Sequence, residues 1–181
     1  MDGRLCASRR LRLRLQFLSR HPSKRTRHMP ANPTELDDIF ARAAARGVAS
    51  NLPYAGEVTP QEAHRLFVEF GAKIIDVRSA FENSYIGRVV GAPLISWKFW
   101  PGSKPNPDFL AELKRQCAPA DIVLFLCRSG VRSHATAVVA AEAGFAKAFN
   151  ILEGFEGDLD HAKQRGKLGG WRKAGLPWVQ D

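Results

Sequence analysis

Three short apolar runs, at 74–77, 122–126 and 148–151, are separated by longer stretches in which apolar residues recur every three or four positions. Runs of four or five alternating with helix-period segments predict buried strands joined by crossover helices, and hence a mostly parallel α/β sheet. The helix boundaries are marked in the chain. Thr59-Pro60-Gln61-Glu62 is a capping box with proline at the first helical position, and Gly71 marks the stop. Asn106 before Pro107 opens a helix to about Gln116, and Gly144 closes one that starts near Ser133. Residues 33–50 form a further helix with Leu36, Ile39, Phe40 and Ala43 near one face, which is expected to pack on the sheet rather than on a partner. The proline-rich segment 101–107 reads as a surface loop. In open α/β sheets ligands bind beyond the carboxyl ends of the strands, and Arg78, Cys127 and the loop after Leu152 all fall on that edge.

The candidate chemistry sits at one such strand end. Cys127-Arg128-Ser129-Gly130-Val131-Arg132-Ser133 follows the run at 122–126 and precedes an alanine-rich helical segment. A thiol between a strand and a helix N-terminus meets converging backbone N–H groups and the positive end of the helix dipole. Electropositive surroundings of that kind favour the reactive thiolate. A cysteine that merely filled the core would not need two arginines and two serines in the next six positions, because buried cations are costly without an anion to face.

Loop length narrows the chemistry. Cysteine phosphatases place five residues between cysteine and arginine, enough to enclose a phosphate, whereas four residues, 128–131, separate Cys127 from Arg132. A smaller ring suits a smaller guest, and a single sulfur bonded to Cys127 would fit.

Three separated segments resemble the rhodanese family of sulfurtransferases, over roughly residues 56–178. Lys73-Ile74-Ile75-Asp76-Val77-Arg78 is similar to the family's strand ending in Asp-Val-Arg, Ile86-Gly87-Arg88-Val89-Val90-Gly91-Ala92 to its Gly-His-Ile-Pro-Gly-Ala turn, and Cys127 to Ser133 to its active loop. Arg88 and Val90 depart from the pattern, standing where His and Pro are usual. Ile151-Leu152-Glu153-Gly154-Phe155, Gly170-Trp171 and Gly175-Leu176-Pro177-Trp178 resemble later family segments. The resemblance implies an open, mostly parallel five-stranded sheet with helices on both faces, spanning residues 56–181 after a helical extension at 29–55. It also implies double displacement: Cys127 takes a sulfane sulfur from a donor such as thiosulfate, and the persulfide passes it to cyanide, a thiol or a thiol-bearing protein. In this reading Cys127 is the nucleophile, and the amides of Arg128, Ser129, Gly130, Val131, Arg132 and Ser133 form the anion cradle. Arg132 adds charge, the hydroxyls of Ser129 and Ser133 add hydrogen bonds, and Gly130 permits the turn. Arg78 and Arg88 are candidates for binding an anionic donor. Arg78 could equally be a structural ion pair, with Glu82 or Glu153 as partner. Asp76 is expected to hold loops by hydrogen bonds. Trp97, Phe99 and Trp100 either wall the pocket mouth or pack at its rim. For His134 a place in the first helical turn outweighs a proton-transfer role. A non-catalytic sulfur-carrier or redox-sensing module is the alternative function.

Charge changes the picture only after it is divided. The chain of 181 residues carries a formal +9, but residues 1–28 contribute +8 and the remainder +1. A nearly neutral domain does not predict a nucleic-acid surface. The basic segment is read as a disordered arm, an organelle-targeting peptide, or sequence upstream of a true start at Met29. Cys6, Cys117 and Cys127 have no disulfide or zinc-ligand spacing, and neither metal nor cofactor is expected. Three unpatterned cysteines predict a reducing, cytoplasmic setting. No apolar stretch approaches the roughly 20 residues of a membrane span.

Overall fold

A computed structural model describes residues 32–181. The readings of residues 1–28, of Met29 and of Cys6 lie outside the described residues.

Helix α1 (Pro33–Ala49) opens on Asn32, whose side chain accepts the Thr34 amide, and has proline in its first turn. Its apolar stripe buries Ile39 and Ala43, with Leu36 and Phe40 partly buried beside them against the sheet. The expected packing within the chain is therefore what the helix does. Strand β1 (Gly56–Val58) and helix α2 (Pro60–Glu69) follow, and the capping box of α2 is complete: Thr59 Oγ1 accepts the Glu62 amide while Glu62 accepts the Thr59 amide. Glu62 also takes hydrogen bonds from Arg42 and Arg46 of α1, which ties the two helices together. Burial pushes the Glu62 carboxyl up, but the two guanidinium groups and the Thr59 amide win and hold it at about 2.

The remaining elements are β2 (Lys73–Asp76), α3 (Ala80–Tyr85), β3 (Lys98–Phe99), β4 (Lys104–Pro105), α4 (Phe109–Gln116), β5 (Val123–Leu126), α5 (Val131–Glu142) and β6 (Ala148–Ile151). The main sheet is wholly parallel in the order β1-β6-β5-β2. Where a fifth strand would lie, residues 93–97 run beside β2 with a single parallel bridge, Asp76 to Leu94, and with the Ile95 and Trp97 N–H groups donating hydrogen bonds to the Asp76 and Val77 carbonyls. The segment 101–107 is a loop only in part, since β3 and β4 pair as a short antiparallel hairpin around it.

Side-chain alternation along β5 divides the core. Leu124 and Leu126 face Val58, Leu66 and Trp171, the layer covered by α1, α2 and the closing segment. Val123, Phe125 and Cys127 face Phe109 and Leu113 of α4 and Ala137 and Ala140 of α5. Cys127, one residue beyond β5, thus sits with its thiol on the α4/α5 side at the carboxyl edge of the sheet.

Candidate active site

The loop after β5 turns because Gly130 adopts φ +96°, a left-handed conformation that a residue with a side chain takes only under strain. That turn makes Gly130 the N-cap of α5 and folds its amide back onto the Cys127 sulfur. Gly130 N–H donates to Cys127 Sγ at 3.2 Å, and Ser133 Oγ lies 3.2 Å from the same sulfur. The Ser133 hydroxyl is also 3.0 Å from the Gly130 carbonyl, so its one proton serves either acceptor. Cys127 is 1% exposed. The back of the loop is braced by the turn after β6: Phe155 N–H donates to the Cys127 carbonyl and Glu156 N–H to that of Arg128. Gly154 lies so close that a Cβ there would stand 2.5 Å from the Cys127 carbonyl oxygen and 2.6 Å from the Ser129 nitrogen.

A cleft of about 670 Å³ opens in front of the sulfur. Cys127, Arg128 and Ser129 form its floor, with Val131 and Arg132 of α5 beside them. Ser79, Phe81, Glu82 and Ile86 form one wall, the hairpin residues Phe99 and Trp100 another, and Lys98, Glu156 and Arg165 supply further charge. Trp97 is separate from this group. It packs edge-on against Phe109 in the core, 5.1 Å between centroids.

The two loop arginines differ in their surroundings. Arg132 makes a two-point ion pair with Glu82, at 2.8 and 2.6 Å. Glu82 in turn caps α3 by accepting the Ser79 amide and hydroxyl. Burial raises the Glu82 carboxyl, yet Arg132 and the Ser79 groups outweigh it and lower it to about 2. The pairing with Glu82, opposed by burial, raises the already high Arg132 value, so the guanidinium stays charged. Arg128 is exposed and has no carboxylate partner among the described residues. Glu82 was missed as part of the site, although Ser79-Ala80-Phe81-Glu82 carries a capping-box signature.

The two outlying arginines stand away from the cleft. Arg78 is fully buried, with its guanidinium on Asp76 (2.6 Å for the shortest contact), on the Gly87 carbonyl at 2.7 Å and over the Phe155 ring at 4.2 Å. Its partner is Asp76, not Glu82 or Glu153, and a sealed side chain has no path to a soluble donor. Asp76 also accepts the Arg78 amide and the Asn83 side-chain amide, so it does tie the loops. Arg88 pairs with Asp181, and its backbone bridges Val179 in antiparallel fashion, which pins the closing segment outside the cleft. His134 Nδ1 is 2.7 Å from the Tyr54 hydroxyl, behind the loop. Burial, helped by Glu57, pushes the Tyr54 phenol up. Cys117 and Cys127 are both free, and burial raises the Cys117 thiol, which leaves it an inert core group.

A cysteine held at the carboxyl edge of a parallel sheet, between a strand and a helix capped by Gly130, defines a class that the comparisons make explicit. The rhodanese-like domain model matches residues 59–160, and the chain belongs to this family. Its similarity to the crystal structure of Rv0390 from M. tuberculosis extends over 71% of this chain and 99% of that one, at 40% identity and a TM-score of 0.62. Protein RC0915 of Rickettsia conorii, itself uncharacterized, is 39% identical over 59% of this chain and 82% of its own length. More distantly, the thiosulfate sulfurtransferase GlpE of Actinobacillus succinogenes is 27% identical over 67% of this chain and 87% of its own. No helix among the described residues is long and apolar enough to cross a membrane.

Proposed function

We propose that the protein is a sulfurtransferase that carries a sulfane sulfur on Cys127, with thiosulfate as a competent donor and cyanide or a thiol as acceptor. The observation that carries this reading is the pair of donors on Cys127 Sγ, the Gly130 amide and the Ser133 hydroxyl, at the floor of an open cleft. In the first half-reaction the thiolate attacks the outer sulfur of thiosulfate. A Cys–S–S⁻ bond forms, the donor's S–S bond breaks, and sulfite leaves with the bonding electron pair. The negative charge then resides one atom further out, where the amides of residues 128–133 and the charge of Arg132 would stabilise it. In the second half-reaction the acceptor attacks that outer sulfur and Cys127 leaves as thiolate. The unpatterned cysteines support a reducing, cytoplasmic setting for such chemistry.

Intact-mass measurement after incubation with thiosulfate tests the proposal. A gain of one sulfur is expected, lost on adding cyanide, absent in Cys127→Ser and retained in Cys117→Ser. No adduct with any of several sulfane donors would overturn it and favour a sensing module.

A further inference from the structure

Among the described residues the aromatic side chains that stand exposed are Phe81, Tyr85, Phe99 and Trp100, and all four gather at the mouth of the Cys127 cleft. Phe81, Phe99 and Trp100 line it, while Tyr85 stacks on Phe81 with centroids 4.6 Å apart and extends the apolar surface beyond the cavity. Exposed apolar residues scattered singly need no explanation, but an aromatic group concentrated around a reactive atom marks a contact surface. The exposures decide the size of the occupant. Trp100 is 67% exposed and Tyr85 66% exposed, so neither is enclosed by the cavity walls. A small thiol or cyanide inside the cleft would leave Tyr85 uncovered.

Charge decides its sign. Lys98, Arg128 and Arg165 line the cleft without a carboxylate partner among the described residues, and Arg165 is bonded only to the Gly157 carbonyl. Glu156 opposes them, and Glu82 is already neutralised by Arg132. The balance is positive. Depth decides the shape, because the sulfur of a residue only 1% exposed, Cys127, is reached by a group projecting from its carrier.

We propose that this face docks an acidic protein segment that presents a protruding cysteine, the acceptor of the Cys127 sulfur. Its apolar residues cover Trp100 and Tyr85, its carboxylates meet Lys98, Arg128 and Arg165, and its thiol enters the cleft. The partner's thiol first gives its proton to solvent. Its sulfur then attacks the outer persulfide sulfur, forming a new S–S bond on the partner. The bond to Cys127 Sγ breaks, with the electron pair returning to Cys127. This assignment rests on the sulfur-transfer reading above.

The test uses the full chain preloaded with thiosulfate, freed of donor and mixed in single turnover with four acceptors. These are an acidic peptide holding one cysteine and flanking leucines, a lysine-rich peptide of the same apolar content, free cysteine, and cyanide. The acidic peptide should discharge the sulfur about tenfold faster than the basic peptide or free cysteine at low salt, with the preference shrinking as salt rises. The variant Tyr85→Ser, outside the cavity lining, should slow the acidic peptide about threefold and leave the cyanide rate unchanged. Discharge by cyanide with equal rates for both peptides, or no effect of Tyr85→Ser on the acidic peptide, overturns the docking surface alone. Failure of cyanide to discharge a loaded sulfur overturns the transfer reading as well.

Discussion

Two guanidinium–carboxylate pairs lie within one small region and do different work. Arg78 and Asp76 are sealed from solvent at the end of β2, while Arg132 and Glu82 are partly open on the wall of the cleft. A sealed pair loses the hydration of both charges and gains it back only if geometry and extra hydrogen bonds are complete. Asp76 collects four contacts from Arg78 and one from Asn83, while Arg78 Nη1 is buried without a hydrogen-bond partner. Those bonds join the end of β2 to the segment just before α3, to Asn83 within α3 and, through the Gly87 carbonyl, to the following turn. The open pair is bonded through both terminal nitrogens of Arg132 and lines the same cleft as Cys127. Burial, more than residue type, separates an arginine sealed inside the domain from one that borders the cleft in front of Cys127.

The largest expected effect is on the sealed pair. Arg78→Met leaves Asp76 charged and buried, and should cost about 3–5 kcal/mol in urea unfolding, with much of it recovered in the Asp76→Asn/Arg78→Met double variant. A loss confined to turnover, with normal stability, would show that Arg78 acts in the cleft after all. Next comes the open pair. Glu82→Gln frees Arg132 from its fixed position, so thiosulfate loading should slow about tenfold while stability falls by only about 1–2 kcal/mol. Glu82→Asp should recover part of the rate, and an unchanged rate in Glu82→Gln would make this pair structural too.

A smaller effect is expected in acid. Glu62 and Glu82 both titrate near 2 in the folded chain, below the ordinary carboxylate value of 4.5. Their contribution to stability is present in full above about 4.5 and is lost as pH falls toward 2, where the folded state is forced to take up their protons. Glu82→Gln should flatten that decline in an acid titration followed by circular dichroism; an unaltered slope would contradict the shift. The smallest effect is at Arg88. Its pairing with the exposed Asp181 is screened by solvent, so Arg88→Ala should leave both melting temperature and sulfur loading unresolved from wild type.

The strands β2, β5 and β6 were legible because each is a short, mostly apolar run buried between helical layers, β5 without a polar residue, β2 with Ile74 and Ile75 ahead of Asp76, and β6 with Asn150 among apolar neighbours. Strand β1 was not: Gly56-Glu57-Val58 is three residues with one polar member, and it is made a strand by the backbone of β6 beside it. Helix α3 was overlooked despite its capping box because six residues give too little periodicity to see. The nucleophile loop could be read since local sequence builds it, with cysteine, glycine and helix start all within four positions. The partner of Arg78 could also have been found. Residues two apart in an extended chain share a face, which places Asp76 beside Arg78 before any distant glutamate. Glu82 reaches Arg132 across fifty positions, and the sheet order that brings them together is invisible to local pattern.

The contact at Gly154 gives the nucleophile loop a direction of tolerance. Behind Cys127 there is backbone against backbone with no room for even a methyl group, and that backbone is itself anchored where Trp171 N–H donates to the Gly154 carbonyl. An inserted residue in the loop can therefore displace atoms only forward, into the cleft, where it would reshape the seat of the sulfur. The loop has a rigid back plate, so its aperture is expected to follow residue count and not elastic adjustment around whatever enters.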